Sequence, residues 1–506
     1  MNLQSSIRML LVVLLLTLLP SSVSARLVQI IHTNDLHSHL EHGGEKGFGG
    51  YAAVKATMDQ IKADAAKQGI ESITVDAGDF GEGSQFYLAE RGVAVWRTLN
   101  TMGYDAVTLG NHDWLSGIND LNRIVGAVKP NFALLGANFI FDHSNKNLKK
   151  YMRPSIEIKR AGLRIAILGL TTEDFVYNWR AEDGFIWPAH REANDRLPSL
   201  SSRNDFVIAL THIGLLEDIK LVRRTSGIDL VVGGHSHTRM SEPITVIDKR
   251  ARKVPIVQAG EHGEFVGDLL VDLEPGQPVK VVRYRLIPVD ANGAKDEAVA
   301  EQVRMARESL YREYGREWLN EIVGYTEVPM ISPDQAPTIW SQFAVDAMRE
   351  AVRAEVTIDS DEFYGNSMPA GPVTREQLFA FYPRVFHFNR YGWTIYTANA
   401  RGWVIELTIK EAIKRGWWLS TSGLSYEVYY SGLTRKVRNL RVNGKPLKRF
   451  KNYRVALPEG IGRAAIEIAP VLSAIFKKNK NTGIPIWFAL EAKLRRVGTV
   501  KPNVTP

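Results

Sequence analysis

Short apolar runs rich in β-branched residues recur through the first half of the chain, and each ends in a polar exit. They fall at 27–33, 73–75, 107–109, 164–170, 207–210 and 230–232, separated by amphipathic stretches. Strand-like runs interleaved with helical patterns predict an α/β domain over residues 27–286. Pro275-Gly276 and Pro278 mark a turn near its end. Residues 295–320 then read as one charged helix, with Val303, Ala306, Leu310 and Tyr314 on a single face, suited to link two domains. A second α/β unit is expected beyond it, with helices over 340–352 and 410–417 and strands over 393–397 and 436–442. The expected division is 26–290, a linker helix at 291–322, and a smaller domain at 323–506.

Length and composition fit that plan. The chain has 506 residues, 45% hydrophobic and 23% charged, which exceeds what one core usually serves and excludes a disordered or collagen-like chain. Cysteine is absent, so disulfides, thiolate nucleophiles and Cys-ligated metals are impossible, and any metal site must use nitrogen and oxygen donors. Residues 1–25 carry one charge, Arg8, then an apolar run at 9–19 and the small-residue end Val23-Ser24-Ala25. That tripartite pattern is a secretory signal cleaved after Ala25; the run is too short to span a membrane. An exported protein, periplasmic or extracellular and with no later membrane span, is expected.

Histidine localises the chemistry. Of 12 histidines, 11 lie between His32 and His262. Five follow apolar runs directly, in the exits Asn34-Asp35-Leu36-His37, Gly110-Asn111-His112-Asp113, Thr211-His212 and Gly233-Gly234-His235-Ser236-His237; a fifth exit, Asp76-Ala77-Gly78-Asp79, brings aspartates. Ligands of open α/β sheets bind beyond the carboxyl ends of the strands, so five such exits can converge on one centre. Imidazole and carboxylate together suit Mn, Fe, Zn or Co, and a carboxylate can bridge two cations. Any one of these fragments alone would read as a turn or a cap; five in order would not.

These residues resemble those of the calcineurin-like metallophosphoesterases. His32-Thr33-Asn34-Asp35-Leu36-His37 with Gly49-Gly50, together with Pro369-Ala370-Gly371-Pro372-Val373-Thr374 and Ser422-Gly423-Leu424, is similar to the exported 5′-nucleotidase branch. The resemblance implies a four-layer α/β metallophosphoesterase sandwich followed by a smaller α/β C-terminal domain that delivers substrate to the metals. It implies two divalent ions, one on Asp35, His37 and His237, the other on Asn111, His212 and His235, with Asp79 bridging. It further implies hydrolysis of a nucleotide or related phosphate ester by a metal-activated water, His112 as the catalytic group, and Asn111 and Trp418 as substrate contacts. No obligate nucleic-acid partner is implied.

Two departures and two open readings qualify that expectation. Related nucleotidases carry an Asp three residues after the catalytic His; here Leu115 stands there, and the partner of His112 is open. An Asn-Gly-Gly-x-x-Arg stretch is replaced by the acidic residues 358–366, expected to repel phosphate rather than bind it. Trp418 reads equally as a core residue beside Trp417. The stretch 435–454 holds nine Lys or Arg and no acid, and alternation about Asn443-Gly444 favours a solvated hairpin over a nucleic-acid surface. Alternative readings therefore keep the metal site but change the bond cut, to a phosphodiester, a sugar phosphate or a thiol-sulfate bond, or keep metal binding with little turnover.

Overall fold

The structure, a computed structural model, describes residues 26–42, 47–174, 184–333, 336–385, 391–432, 434–467 and 476–502. The expected export signal at 1–25 lies outside the described residues. Two sheets face each other in the first half of the chain. The seven-stranded sheet runs in the order Lys280–Pro288, Phe265–Asp272, Leu27–Thr33, Glu71–Asp76, Ala106–Thr108, Ala133–Leu135, Met152–Arg153 and is parallel from Leu27–Thr33 onward. The six-stranded sheet runs Ile244–Ile247, Lys253–Val257, Leu230–Gly233, Phe206–His212, Leu163–Thr171, Ser155–Arg160, with four parallel strands between antiparallel edges.

Period-two alternation of the strands fills the space between the sheets. Val28, Ile30, Ile73 and Val75 of one sheet meet Ile165, Ile167, Ile208 and Leu210 of the other. The intervening residues are apolar as well, because helices cover both outer faces. Leu168, Val207 and Val231 pack under helices Ala189–Arg203 and Leu215–Arg224. Ile31, Val107 and Leu134 lie under Tyr51–Ala66, Val93–Leu99 and Ile118–Val128. Parallel strands buried on both faces read as continuous apolar runs, the feature visible in the sequence. The result is the expected four-layer sandwich.

The linker differs from the single helix expected over 295–320. Helix Glu297–Tyr314 starts where the Asp296 carboxylate accepts the amide of Val299 and ends at Gly315, whose φ of 94° breaks the turn before a short helix, Arg316–Asn320. Its buried face does carry Val303, Ala306, Leu310 and Tyr314. That face belongs to one apolar cluster that extends from Trp96 and Leu99 through Leu310 to Trp340, Phe379 and Trp487. Arg307 adds a polar clamp: it donates to Glu41 (2.6 and 2.9 Å), pairs with Glu376, and lies over the Phe86 ring.

The second unit centres on a five-stranded mixed sheet, Leu419–Ser422, Val356–Ser360, Asn452–Pro458, Thr394–Arg401, Phe476–Pro485. Helix Ile339–Ala351 matches expectation; Gly402–Arg415 begins eight residues earlier than the expected 410–417, because Trp403, Val404, Ile405 and Ile409 place an apolar stripe on its first turns. The basic stretch is the expected hairpin: Thr434–Val442 pairs with Lys445–Pro446 across Asn443 and Gly444, whose φ values of 48° and 76° suit a primed turn. Among the described residues no helix is long and apolar enough to cross a membrane.

Candidate metal centre

Parallel pairing brings the five exits to one end of the sandwich. Thr33 registers with Asp76 and Asp76 with Val107, so the chain leaves three adjacent strands side by side. His212 is the last residue of its own strand rather than lying past it. The exit loops turn through the left-handed region at Asp35, His37, Asp79, His235 and His237, with φ between 46° and 79°. Non-glycine residues held in that region carry a cost and cluster where the surrounding structure fixes a functional geometry. Gly110 permits the tightest approach, since a Cβ there would lie 2.1 Å from the Asp79 Oδ1 atom.

Backbone acceptors orient the imidazoles. His37 donates from Nδ1 to the Glu82 carbonyl at 2.8 Å and His212 from Nδ1 to the Ala77 carbonyl at 2.7 Å, while His237 Nδ1 pairs with Glu261. Each ring therefore turns Nε2 inward. Nε2 of His37 and Nε2 of His237 are 3.1 Å apart, His212 Nε2 is 3.0 Å from Asp79 Oδ2, and His237 Nε2 is 3.4 Å from Asp35 Oδ1. Two groups emerge whose ligand atoms lie within 4.8 Å of one another, Asp35–His37–His237 and Asp79–His212–His235, and Asp79 also groups with His37 and His112. Asn111 is fully buried, and neither atom of its amide has a hydrogen-bond partner among the described residues.

That donor set fits divalent cations. Lone pairs on three Nε2 atoms point toward two carboxylates, an arrangement that repels itself unless positive charge sits among them. The protonation equilibria reflect the same demand. Burial pulls His212 down, but the Asp79 carboxylate outweighs it and the imidazole stands at about 9. His235, where burial dominates and His212 adds repulsion, falls to about 3. A bound cation satisfies the carboxylates and leaves both rings neutral as ligands.

His112 sits at the edge of this cluster. Its amide donates to Asp79 Oδ1 at 2.7 Å, and its ring lies edge-on to that of His37 at 4.9 Å. Nδ1 meets the carboxylate of Glu82 at 2.6 Å. Asp113, adjacent to His112, instead accepts the amides of Gly110, Asp79 and Gly81 at 2.7, 3.0 and 2.8 Å and ties the two exit loops together. Glu82 also meets Arg384 of the second unit (3.1 Å) and accepts the Val385 amide (2.7 Å). Burial acts to raise Glu82, but Arg384, the His112 hydrogen bond and the Val385 amide outweigh it and hold the carboxyl below the usual glutamate value. Sequence reasoning missed Glu82 and Arg384. The available signal was an acid flanked by Gly81 and Gly83, with Gly83 so close to His37 that a Cβ would fall 2.4 Å from the histidine Cβ.

Arg384 is the second unit's cation at the site, and its guanidinium is steadied by the carbonyls of Glu362 (2.6 Å) and Phe363 (3.1 Å). The acids of 358–366 behave differently from expectation. Asp359 and Asp361 turn inward, the first held by the Tyr364 and Tyr382 hydroxyls (3.0 and 3.2 Å), the second by Ser420 (2.6 Å). Burial raises them to about 7 and about 6. Asp359 and Asp361 are therefore not a repulsive surface, whereas the exposed Glu362 lies within electrostatic reach of His237, Arg384 and His112 and keeps an acid toward the site. Trp418 is half-buried; its ring carries the Arg435 guanidinium at 4.8 Å and its carbonyl accepts the Asp361 amide at 3.1 Å. Those partners among the described residues all belong to the second unit.

Comparison with known proteins follows the same division. The family profile described as calcineurin-like phosphoesterase matches residues 28–239, and that described as 5′-nucleotidase, C-terminal domain, matches 322–468. The trifunctional nucleotide phosphoesterase protein YfkN of Bacillus subtilis is 25% identical over 475 residues, 85% of this chain but only 30% of its own length. Protein UshA of Yersinia enterocolitica is 25% identical over 485 residues, covering 85% of this chain and 84% of that one. Among solved structures, the 5′-nucleotidase precursor from Thermus thermophilus superposes with a TM-score of 0.81 at 22% identity, covering 95% of this chain and 98% of that one.

Proposed function

Because the chain belongs to the calcineurin-like metallophosphoesterases that carry a 5′-nucleotidase C-terminal domain, and hence to the metal-dependent phosphoester hydrolases, we propose that it is an exported two-metal hydrolase of nucleotides or related small phosphate esters. Export rests on the leader pattern of residues 1–25. In this reading residues 26–290 carry the metals, 291–322 the link, and 323–506 the substrate pocket. Asp35, His37 and His237 hold one ion, Asn111, His212 and His235 the other, and Asp79 joins them. The observation that carries the reading is the convergence of three oriented Nε2 atoms on Asp35 and Asp79 beside an unpartnered buried Asn111.

When bound, two divalent cations would supply Lewis-acid charge for the phosphoryl oxygens and make water a nucleophile at neutral pH. The chain's own residues complete the task. His112, with Nδ1 engaged by Glu82, would act on a phosphoryl oxygen or the departing alkoxide through Nε2, as a hydrogen-bond donor or general acid. Arg384 from the second unit balances the buried charge of Glu82 beside His112. Trp418 is the proposed stacking surface for a base, and Asn111 a contact to the phosphate.

The test is an assay of the chain from residue 26 with Mn²⁺, Co²⁺, Zn²⁺ or Fe²⁺ against nucleoside monophosphates, sugar phosphates and diesters, with phosphate release and metal stoichiometry measured together. Turnover of nucleoside 5′-monophosphates with two ions per chain is expected. Silence on every ester at full metal loading overturns the reading. A second reading, the same site cutting another bond, is favoured by one observation: the Arg435 guanidinium already occupies a face of the Trp418 ring that a base would need. Sugar phosphates or a thiosulfonate ester cleaved in preference to nucleotides would establish it.

A further inference from the structure

We propose that Glu82 is the positioning residue of His112, and that Arg384, reaching across from the second unit, holds Glu82 in that role; the inference rests on the hydrolase reading above. The position three residues after His112 cannot serve, since Leu115 is apolar and 6% exposed within the core. Asp113 is committed elsewhere, its carboxylate accepting three backbone amides that join the two exit loops. Glu82 reaches the His112 Nδ1 atom from a different loop, at 2.6 Å, and is itself 1% exposed.

Each polar atom of Glu82 has a task. Oε2 faces both His112 Nδ1 (2.6 Å) and Arg384, whose guanidinium also lies 3.4 Å from that Nδ1 but cannot accept its proton, so the shorter contact to Glu82 sets the tautomer; Oε1 accepts the Val385 amide, and the carbonyl accepts His37 Nδ1. One residue thus links a proposed metal ligand, the catalytic imidazole and the second unit. An ionised carboxylate on Nδ1 fixes the ring's tautomer and its plane, and with them the direction in which Nε2 points. Burial makes the charge on Glu82 dependent on Arg384: without the guanidinium, an uncompensated carboxylate would remain in a dry site. Seating of residues 384 and 385 therefore sets the orientation of His112, so the second unit contributes to the chemical step as well as to substrate binding.

The experiment uses the metal-loaded full chain with two probes, p-nitrophenyl phosphate, whose leaving group needs little protonation, and an alkyl phosphate, whose leaving group needs much. Glu82→Gln is expected to lower kcat on the alkyl ester roughly 10- to 100-fold, less on the aryl ester, with KM within about twofold and metal content unchanged. In a His112→Ala background the same change should cost nothing further. Arg384→Lys should lie between wild type and Glu82→Gln. A loss of full size in the His112→Ala background, or a fall in metal content that tracks kcat, overturns the proposal. An activity-independent arm uses ¹⁵N-histidine spectra of the Zn²⁺ form. A His112 Nδ1–H tautomer present in wild type and disturbed in Glu82→Gln and Arg384→Lys supports the pairing even if no ester is hydrolysed, the result that would sink only the hydrolase reading. An unchanged tautomer in both variants overturns the pairing even if turnover is high.

Discussion

Buried carboxylates are handled in opposite ways at the strand exits and inside the second unit. At the exits, Asp79 accepts the amide of His112 and Asp35 those of His235 and the Asn34 side chain, but imidazole Nε2 atoms face both carboxylates as well, so the cluster suits added positive charge. In the second unit, hydroxyls donate to the buried acids, those of Tyr364 and Tyr382 to Asp359 and that of Ser420 to Asp361 Oδ1, while Asp361 Oδ2 has no hydrogen-bond partner among the described residues. The same residue type at similar burial is a proposed cation site in one place and a structural acid in the other. Partner chemistry, rather than burial or the count of acids, separates the two.

The sharpest break of that comparison is Asp79→Asn. It keeps shape but removes the charge proposed to join the two ions, so metal per chain should fall and kcat/KM should drop by roughly 10³-fold or more, since a metal site supplies several kcal/mol of transition-state stabilisation. Retention of both metal and turnover would place Asp79 with the structural acids. Next in size, His112→Ala should lower kcat by roughly 10²- to 10³-fold with metal content unchanged, the share of one positioned acid–base group. Removing metal with a chelator from that variant should abolish what activity remains, and readdition of Mn²⁺ should restore it.

The sandwich and the exits were legible because parallel strands covered on both faces are apolar throughout, and because a parallel sheet offers its carboxyl ends on one side. Order along the chain was then enough to expect the exits to converge; the proposed sharing of Asp35, His37, Asp79, Asn111, His212, His235 and His237 between two ions rests on the family resemblance. Glu82 was not legible. Its imidazole partner lies 30 residues away and its guanidinium partner 302, and neither separation leaves a local pattern. The inward acids were hidden for a related reason: all five residues of Val356–Ser360 are buried, so no alternation marks which side chains meet solvent. Gly315 was visible, yet apolar spacing on either side of it read as one helix, and only the glycine's left-handed geometry breaks it.

A change of pH sharpens the comparison from the other side. Asp359 stands at about 7 in the folded chain, well above its ordinary value of 3.8, chiefly through burial. The folded state therefore binds the proton more tightly, and the stability this contributes is complete below about pH 4 and lost as pH rises through 7. Wild type should lose at most about 4 kcal/mol from this group between pH 4 and 8. Asp359→Asn, which keeps the shape and cannot titrate, should remove that share, so the gap between the urea midpoints of wild type and variant must change across the interval. A gap that stays constant would mean that the carboxylate is ionised and served by charge, as at the exits.

The smallest effect is expected at Ser420, whose hydroxyl donates to Asp361 at 2.6 Å and lies 2.7 Å from the Ser341 hydroxyl. Ser420→Ala leaves a buried acceptor short of one donor, at a cost of about 1 to 2 kcal/mol in the urea midpoint. Because Asp361 is raised toward 6, the loss should be smaller at pH 5, where the protonated acid can donate to other oxygens, than at pH 8, where the bare carboxylate needs every donor it has. Metal content and kcat should stay within about twofold of wild type. A loss of bound metal in Ser420→Ala would join the two acid clusters into one electrostatic unit, and the distinction drawn from their partners would fail.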